Sequence, residues 1–133
     1  MQQRTILQIC FVAVALVVII TGVLGMLGID NPLYASVQLP REPLLDTNLR
    51  FYSGLWLGVG VVILATVRGF ENHLEMYCLI WAMIFVGGVG RMMSLLTIGT
   101  PPFPIVGLMI LELWGAPFLA YCQMRMSPGQ ADR

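Results

Sequence analysis

Two opposite charges stand out in the apolar second half of the sequence, Arg91 and Glu112. Arg91 lies 8 residues before Gly99, and Glu112 lies 8 residues after Pro104. If the two segments are helices joined by a tight turn, both charges lie roughly 12 Å from the same end of a helical hairpin. An isolated charge in an apolar medium is costly, so we expect the Arg91 guanidinium to bind the Glu112 carboxylate as an ion pair.

Other polar residues are candidates for the same site: Ser94, Trp56, Asp46, Arg50 and Tyr52. Ser94 lies about one helical turn from Arg91 and could add a hydrogen bond. Trp56 and Trp114 are at a depth comparable with Glu112, and a buried indole N–H needs an acceptor, for which Glu112 is the obvious candidate. Arg50 can extend toward the pair or toward the membrane surface. Unless Asp46 balances Arg50, the surplus positive charge suits a carboxylate, a phosphate or a lipid headgroup.

Each candidate also has a purely structural interpretation. Arg91 and Glu112 can serve only to hold two helices together. Arg50 can anchor a helix at the headgroups, and Asp46 or Thr47 can be a helix N-cap. The sequence contains no recognisable nucleophile–base pair, metal-binding motif or phosphate loop, so we predict no catalytic residues.

The remaining reactive side chains do not form a recognisable site. Cys10, Cys78 and Cys122 are widely spaced in apolar stretches, and neither they nor His73 show the spacing of metal ligands. We therefore predict neither a metal site nor a cofactor. The chain has seven arginines and no lysine, without a basic run, which argues against nucleic acid as a partner.

The composition indicates that these charges lie in a membrane. Hydrophobic residues make up 58% of the 133 residues and charged residues 11%, whereas a soluble domain has about 25% charged residues. We predict an all-α membrane protein, a single domain (1–133) with four spans at 6–29, 49–67, 74–99 and 103–124. An outer loop (30–48), a polar turn (68–73) and a tight turn (100–102) join the spans, and residues 125–133 form a polar tail. Pro117 is expected to kink the fourth span.

The arginines in the connections set the orientation of this predicted antiparallel four-helix bundle. Arg41 lies in the outer loop, whereas four arginines lie at the opposite ends of the spans: Arg4, Arg68, Arg125 and Arg133. Arginine is enriched on the cytoplasmic side, so both chain termini are predicted to be cytoplasmic. Gly54 and Gly58, four residues apart, are expected to bring the second span close to a neighbour.

The polar and small residues together resemble those of a known family. The pattern comprises Asp46-x-x-Leu49-Arg50-Phe51-Tyr52-x-Gly54, Gly87-Gly88-x-x-Arg91-x-x-Ser94, Gly99-x-Pro101 and Glu112-Leu113 with Pro117. It resembles DUF4345, a bacterial family of small four-helix membrane proteins, over most of the chain to about Gln123. The resemblance implies four spans and a bacterial inner-membrane location, and it implies no activity.

Three functions agree with these features. In the first, the protein is a binding or accessory protein that holds an amphipathic or lipid-like molecule, with an anionic group, or a membrane partner. In the second, it is a homodimeric proton-coupled transporter in which Glu112 exchanges a proton for a substrate. In the third, it is an enzyme on a lipophilic substrate with Glu112 as general acid or base. The sequence favours the first, because a neighbouring arginine keeps the carboxylate ionised and no catalytic motif is present.

Overall fold

A computed structural model of the chain describes residues 2–126, and every regular element in this range is helical. The elements in chain order are α1 (Gln2–Gly25), two short 3-10 helices (Gly28–Asp30 and Pro32–Tyr34), α2 (Pro43–Thr66), a 3-10 segment (Val67–His73), α3 (Leu74–Thr97), α4 (Phe103–Ile110), a π-helical segment (Leu111–Gly115) and α5 (Ala116–Met126). The all-α prediction is confirmed. The predicted tail begins inside α5, and its residues 127–133 lie outside the described range.

One of two compact units, Gln8–Val67, contains most of α1 and all of α2. The two helices run antiparallel, because Gly22 late in α1 meets Leu57, whereas Ala15 earlier in α1 meets Gly60 late in α2. A Cβ atom at Gly22 would lie 2.9 Å from the Leu57 backbone, and one at Gly60 would lie 3.1 Å from the Ala15 carbonyl oxygen. The glycines therefore allow the close helix contact.

The prediction that Gly54 and Gly58 bring α2 close to a neighbouring helix is not met within the described chain. A Cβ atom at Gly58 would meet no atom of the described chain within 4 Å, and one at Gly54 would lie 3.6 Å from Met26 Sδ, an ordinary separation. The stripe of α2 that faces α1 passes instead through positions 53, 57 and 60. Spacing alone identified small residues, but packing determines which of them face the neighbouring helix.

The helix α2 begins earlier than predicted. It starts at Pro43, with Glu42 at the N-cap, whereas the predicted span begins at residue 49. Proline is favoured in the first turn because its fixed φ angle suits a helix and its missing N–H would have no partner there. Asp46 and Thr47 consequently lie inside the first turns, so their predicted role as N-caps is wrong.

The other compact unit holds the rest of the chain, including α3, α4, the π-helical segment and α5. In this unit α3 is antiparallel to the segments that follow it. Trp81 in α3 donates a hydrogen bond to Gln123 in α5, and Gly88, farther along α3, lies against Leu113 in the π-helical segment. This pairing brings the part of α3 near Arg91 beside the segment that carries Glu112.

By length and composition, three helical stretches of the described chain could cross a membrane, not the four predicted. They are Gln2–Gly25, Pro43–Thr97 and Phe103–Met126. The difference arises because the predicted polar turn at 68–73 is itself a 3-10 segment, so α2 and α3 are counted as one stretch of 55 residues. Within it, Gly69 has φ −123° and ψ 35°, outside the helical region.

Candidate functional site

The ion pair predicted between Arg91 and Glu112 is present in the structure. Arg91 Nε donates a hydrogen bond to Glu112 Oε2 over 2.9 Å. The Glu112 side chain is only 8% exposed, whereas the Arg91 side chain is 37% exposed. The carboxylate is therefore enclosed by protein while the guanidinium remains accessible from outside. Use of the pair as a binding site stays a prediction.

Glu112 is carried by the π-helical segment Leu111–Gly115. Such segments have wider turns than an α-helix and occur frequently at functional sites. Pro117, just after the segment, has no N–H to donate to the Leu113 carbonyl, so one α-helical hydrogen bond is missing here. The sequence predicted a kink at Pro117 but not the π-helical geometry, for which this proline was the available indication.

Gly88 on α3 allows the Glu112 segment to come close. A Cβ atom at this position would lie 2.9 Å from Glu112 Cβ and 3.1 Å from Leu113 Cγ. Residue 88 precedes Arg91 by three positions and so lies on the same side of the helix. The short Gly88 contact and the Arg91 ion pair thus hold the same segment at adjacent heights.

The pair leaves several polar atoms without partners in the described part of the chain. The Nη1 and Nη2 groups of Arg91 make no hydrogen bond to residues 2–126, and neither does Oε1 of Glu112. A guanidinium has five N–H donors, of which the protein uses the one on Nε. The site can therefore still donate to oxygen atoms and accept one hydrogen bond.

Arg50 is paired with Asp46, in the unit that contains α1 and α2. Its Nε donates to Asp46 Oδ2 over 2.7 Å, its Nη1 to the Met26 carbonyl over 2.7 Å and its Nη2 to the Leu27 carbonyl over 3.2 Å. Asp46 Oδ1 also accepts a hydrogen bond from Ile29 N at 3.0 Å. We call these two charged side chains the Asp46–Arg50 clamp.

The clamp fixes the chain where it leaves α1. Its cation lies at the carboxyl end of that helix, where carbonyl groups lack helical donors and positive charge is favoured. Gly28, in the same turn, has φ 65°, and a Cβ atom there would overlap Asp46 Oδ1. All three guanidinium nitrogens of Arg50 already have acceptors in the protein, so its geometry favours a structural role over anion binding.

The predicted hydrogen bond from Trp56 to Glu112 is not formed. Trp56 Nε1 donates instead to Thr21 Oγ1 over 3.0 Å, within the unit of α1 and α2. Trp114, the other indole considered, is 77% exposed. Equal distance from the helix ends did not predict the direction in which the Trp56 side chain projects.

Neither Ser94 nor Tyr52 forms a hydrogen bond with the ion pair among the described residues. Ser94 is exposed, and its recorded hydrogen bonds within residues 2–126 use its carbonyl oxygen to accept from Ile98 and Gly99. Tyr52 is 64% exposed, and its ring meets that of Phe51 edge to face with centroids 5.5 Å apart. Among the described residues, the predicted site residues thus form two hydrogen-bonded pairs, Arg91 with Glu112 and Arg50 with Asp46.

Sequence reasoning missed a buried polar network around Gln123. This fully buried side chain accepts a hydrogen bond from Trp81 Nε1 and donates one to the Phe70 carbonyl, both over 3.1 Å. Buried amides that satisfy both ends fix the relative position of the elements they join. The network joins α5 to α3 and to the 3-10 segment, and the one sequence indication was a glutamine late in an apolar span.

An ion pair in the same unit was also missed. Arg4 binds the Glu71 carboxylate through its guanidinium and donates a hydrogen bond to the Arg68 carbonyl over 2.8 Å. Both contacts hold the start of α1 against the 3-10 segment. No motif connects residues 64 or 67 positions apart in the chain, so only the fold reveals this pairing.

The described residues hold no recognisable metal centre. Within residues 2–126, no group of three or more His, Cys, Asp or Glu side chains is placed to hold a metal ion. Cys10, Cys78 and Cys122 are free, partly buried thiols.

Long apolar helices that expose many large apolar side chains are compatible with an integral membrane protein. The chain belongs to the DUF4345 family, a domain of unknown function, whose family model matches residues 6–123. This match confirms the family indicated by the sequence pattern, and the family description assigns no activity. Comparison with curated proteins and with solved structures found no match.

Proposed function

We propose that this protein crosses a bacterial inner membrane four times, with both ends in the cytoplasm, and binds the polar end of an amphipathic ligand at Arg91 and Glu112. Helix lengths support four spans. A straight helix of the 55 residues in Pro43–Thr97 would be about 80 Å long, whereas the hydrocarbon core is about 30 Å thick. Two spans that turn at the 3-10 segment agree better with those lengths.

The distribution of arginine supports the proposed orientation. Arg4 donates a hydrogen bond to the Arg68 carbonyl, so these two residues lie together, and Arg125 lies in the last turn of α5. Arg41 lies in the connection between α1 and α2. Cytoplasmic connections carry the excess of arginine. The Arg91–Glu112 pair would then lie in the outer half of the membrane.

The observation that carries the binding proposal is the incomplete pairing of Arg91. Its Nη groups make no hydrogen bond to the described residues, although the side chain lies within an apolar helix. Unsatisfied guanidinium donors in hydrocarbon are costly, so a bound group with oxygen acceptors would relieve that cost. Arg50, by contrast, has an acceptor for each of its nitrogens. An anionic group on a lipid-like molecule meets this requirement within the membrane.

Native mass spectrometry of the full chain, released from a gentle detergent, tests this proposal. We expect the wild-type protein to retain a phosphate- or carboxylate-bearing amphiphile, and Arg91→Gln to reduce its occupancy about tenfold, as expected for loss of a charged hydrogen bond. Arg41→Gln is the matched control, because the Arg41 side chain is 82% exposed and paired weakly with Asp30 over 3.4 Å.

Equal retention by the wild type and Arg91→Gln would contradict the proposal. Circular dichroism of the wild type and Arg91→Gln would show whether a loss of ligand comes from loss of helix. The native mass spectra also give the number of subunits, and so test whether the protein forms the homo-oligomer that the sequence suggested.

A further inference from the structure

The open atoms of the Arg91–Glu112 pair define a pattern of hydrogen-bond donors and acceptors. With Arg91 Nε occupied by Glu112 Oε2, the four N–H bonds on Nη1 and Nη2 have no acceptor in the described chain. On the other side, Glu112 Oε1 has no donor there, although this side chain is more than nine-tenths buried. A complementary ligand carries an acceptor oxygen and a hydrogen-bond donor close to each other.

Charge narrows the choice of ligand. The Arg91–Glu112 pair is neutral as a whole, so a bound anion would leave one net negative charge in an apolar environment. A zwitterion adds no net charge, and each of its ends meets the opposite charge of the pair. Because uncompensated charge is expensive in a low-dielectric medium, the site favours the zwitterion over a simple anion.

The surface of α3 beside Arg91 offers a way in. A Cβ atom at Gly87 would meet no atom of the described chain within 4 Å. Residue 87 is four positions before Arg91, so the two residues lie on the same side of α3. On the adjoining face, Gly88 is covered by Glu112. The open space beside Gly87 and the contact between Gly88 and Glu112 therefore lie at adjacent positions of α3.

From these observations we infer that the ligand is a phospholipid with a primary-amine zwitterionic headgroup, of the phosphoethanolamine type. A phosphate oxygen accepts from the Arg91 Nη groups, the ammonium group donates to Glu112 Oε1, and the headgroup enters past Gly87. This inference rests on the proposed function and names the class of ligand for the same site.

Three lipids with identical acyl chains separate the contribution of headgroup charge from that of hydrogen-bond donors. Phosphatidylethanolamine has the zwitterion and N–H donors, phosphatidylcholine has the zwitterion without N–H donors, and phosphatidylglycerol has a net negative charge with hydroxyl donors. Titrated into the delipidated full-length protein and followed by native mass spectrometry, phosphatidylethanolamine should bind about tenfold more tightly than either of the others.

Substitutions at Glu112 and Gly87 test which parts of the site produce the preference for phosphatidylethanolamine. Glu112→Gln keeps the side-chain shape but leaves Arg91 unbalanced, so it should reverse the preference toward phosphatidylglycerol. Gly87→Leu should reduce binding of all three lipids, whereas Gly90→Leu should not. Gly90 is the matched control, since a Cβ atom there also meets nothing within 4 Å in the described chain, and it points about 100° away from Arg91.

The outcomes distinguish the two proposals. Lipid binding that is unchanged in Arg91→Gln overturns the proposed function and this inference together. Binding that depends on Arg91 but shows equal affinity for phosphatidylethanolamine and phosphatidylcholine, or favours phosphatidylglycerol, overturns the inference alone. Soluble phosphoethanolamine that binds as tightly as the lipid overturns the assignment to a lipid. The wild-type comparison requires no variant to fold.

Discussion

At the scale of single residues, Arg50 and Arg91 both lie in apolar helices but differ in their hydrogen-bond partners. Arg50 donates to Asp46 and to two carbonyl groups at the end of α1. Arg91 donates only to Glu112 within the described chain. The guanidinium nitrogens of Arg50 all have acceptors in the protein, whereas the Nη groups of Arg91 have none among the described residues, which is why we propose Arg91 as the ligand-binding arginine. Both have the same chemistry in the sequence, so only their surroundings separate their roles.

Gly28 provides a test of the Asp46–Arg50 clamp. Gly28→Ala should destabilise the protein by about 1–2 kcal/mol, because alanine is strained at positive φ, and its Cβ would overlap Asp46 Oδ1. Titration with a denaturing detergent, followed by circular dichroism, measures the change. Gly107→Ala is the control, since a Cβ atom there meets nothing in the described chain within 4 Å, and it should be neutral or stabilising. Equal behaviour of the two variants would contradict the role assigned to the clamp.

The sequence predicted Glu112 as the partner of Arg91 because both residues could be counted from the same turn, the one between the third and fourth predicted spans. Arg91 and Glu112 were each 8 residues from that turn, and equal depth on adjacent helices was sufficient. The partner of Trp56 could not be found in this way. Thr21 receives its N–H, and the rotation of a helix about its axis depends on packing that depth alone does not give.

At the scale of elements, the contact between α3 and the π-helical segment sets the position of the candidate site. Gly88 lies against Glu112 and Leu113, whereas the adjacent Gly87 faces open space. The π-helical geometry precedes Pro117, where an α-helical hydrogen bond is missing. A closely packed glycine and an irregular helix therefore act together to hold the carboxylate beside Arg91.

These neighbouring glycines give a matched pair of substitutions. Gly88→Ala should cost about 1–3 kcal/mol, as overpacking does in a close contact, because its Cβ would lie 2.9 Å from Glu112 Cβ. Gly87→Ala should be neutral or slightly stabilising, because alanine is the better helix former. The free energy of unfolding, measured by the same detergent titration, distinguishes them. A loss of stability in Gly87→Ala as large as in Gly88→Ala would contradict this packing.

Hydrophobicity indicates where a helix lies better than where it begins and ends. The first predicted span, 6–29, overlaps α1 (Gln2–Gly25) over most of its length, but it begins and ends four residues later. The start of α2 was missed because Pro43 and the polar residues after it belong to the helix, although they are too polar for a span. The π-helical segment was missed because its five residues barely alter an apolar pattern.

At the scale of the whole molecule, the main prediction is the four-span topology. Ser36 lies in the connection before α2, and Asn72 lies in the 3-10 segment before α3; both are exposed. After replacement of the three native cysteines by alanine, Ser36→Cys should react with a membrane-impermeant maleimide in intact cells. Asn72→Cys should react only after the inner membrane is opened. Reaction of both from the same side would contradict four spans.

The central claim is that Arg91 and Glu112 act as one unit inside the membrane, and a double-mutant cycle tests it most directly. The cycle compares the free energies of unfolding of the wild type, Arg91→Gln, Glu112→Gln and the double variant. Each single substitution leaves a charge or a buried polar group unpaired, so each should cost about 1–3 kcal/mol. The double variant should be no less stable than the worse single variant. Additive losses would show that the two side chains act independently and would contradict the account.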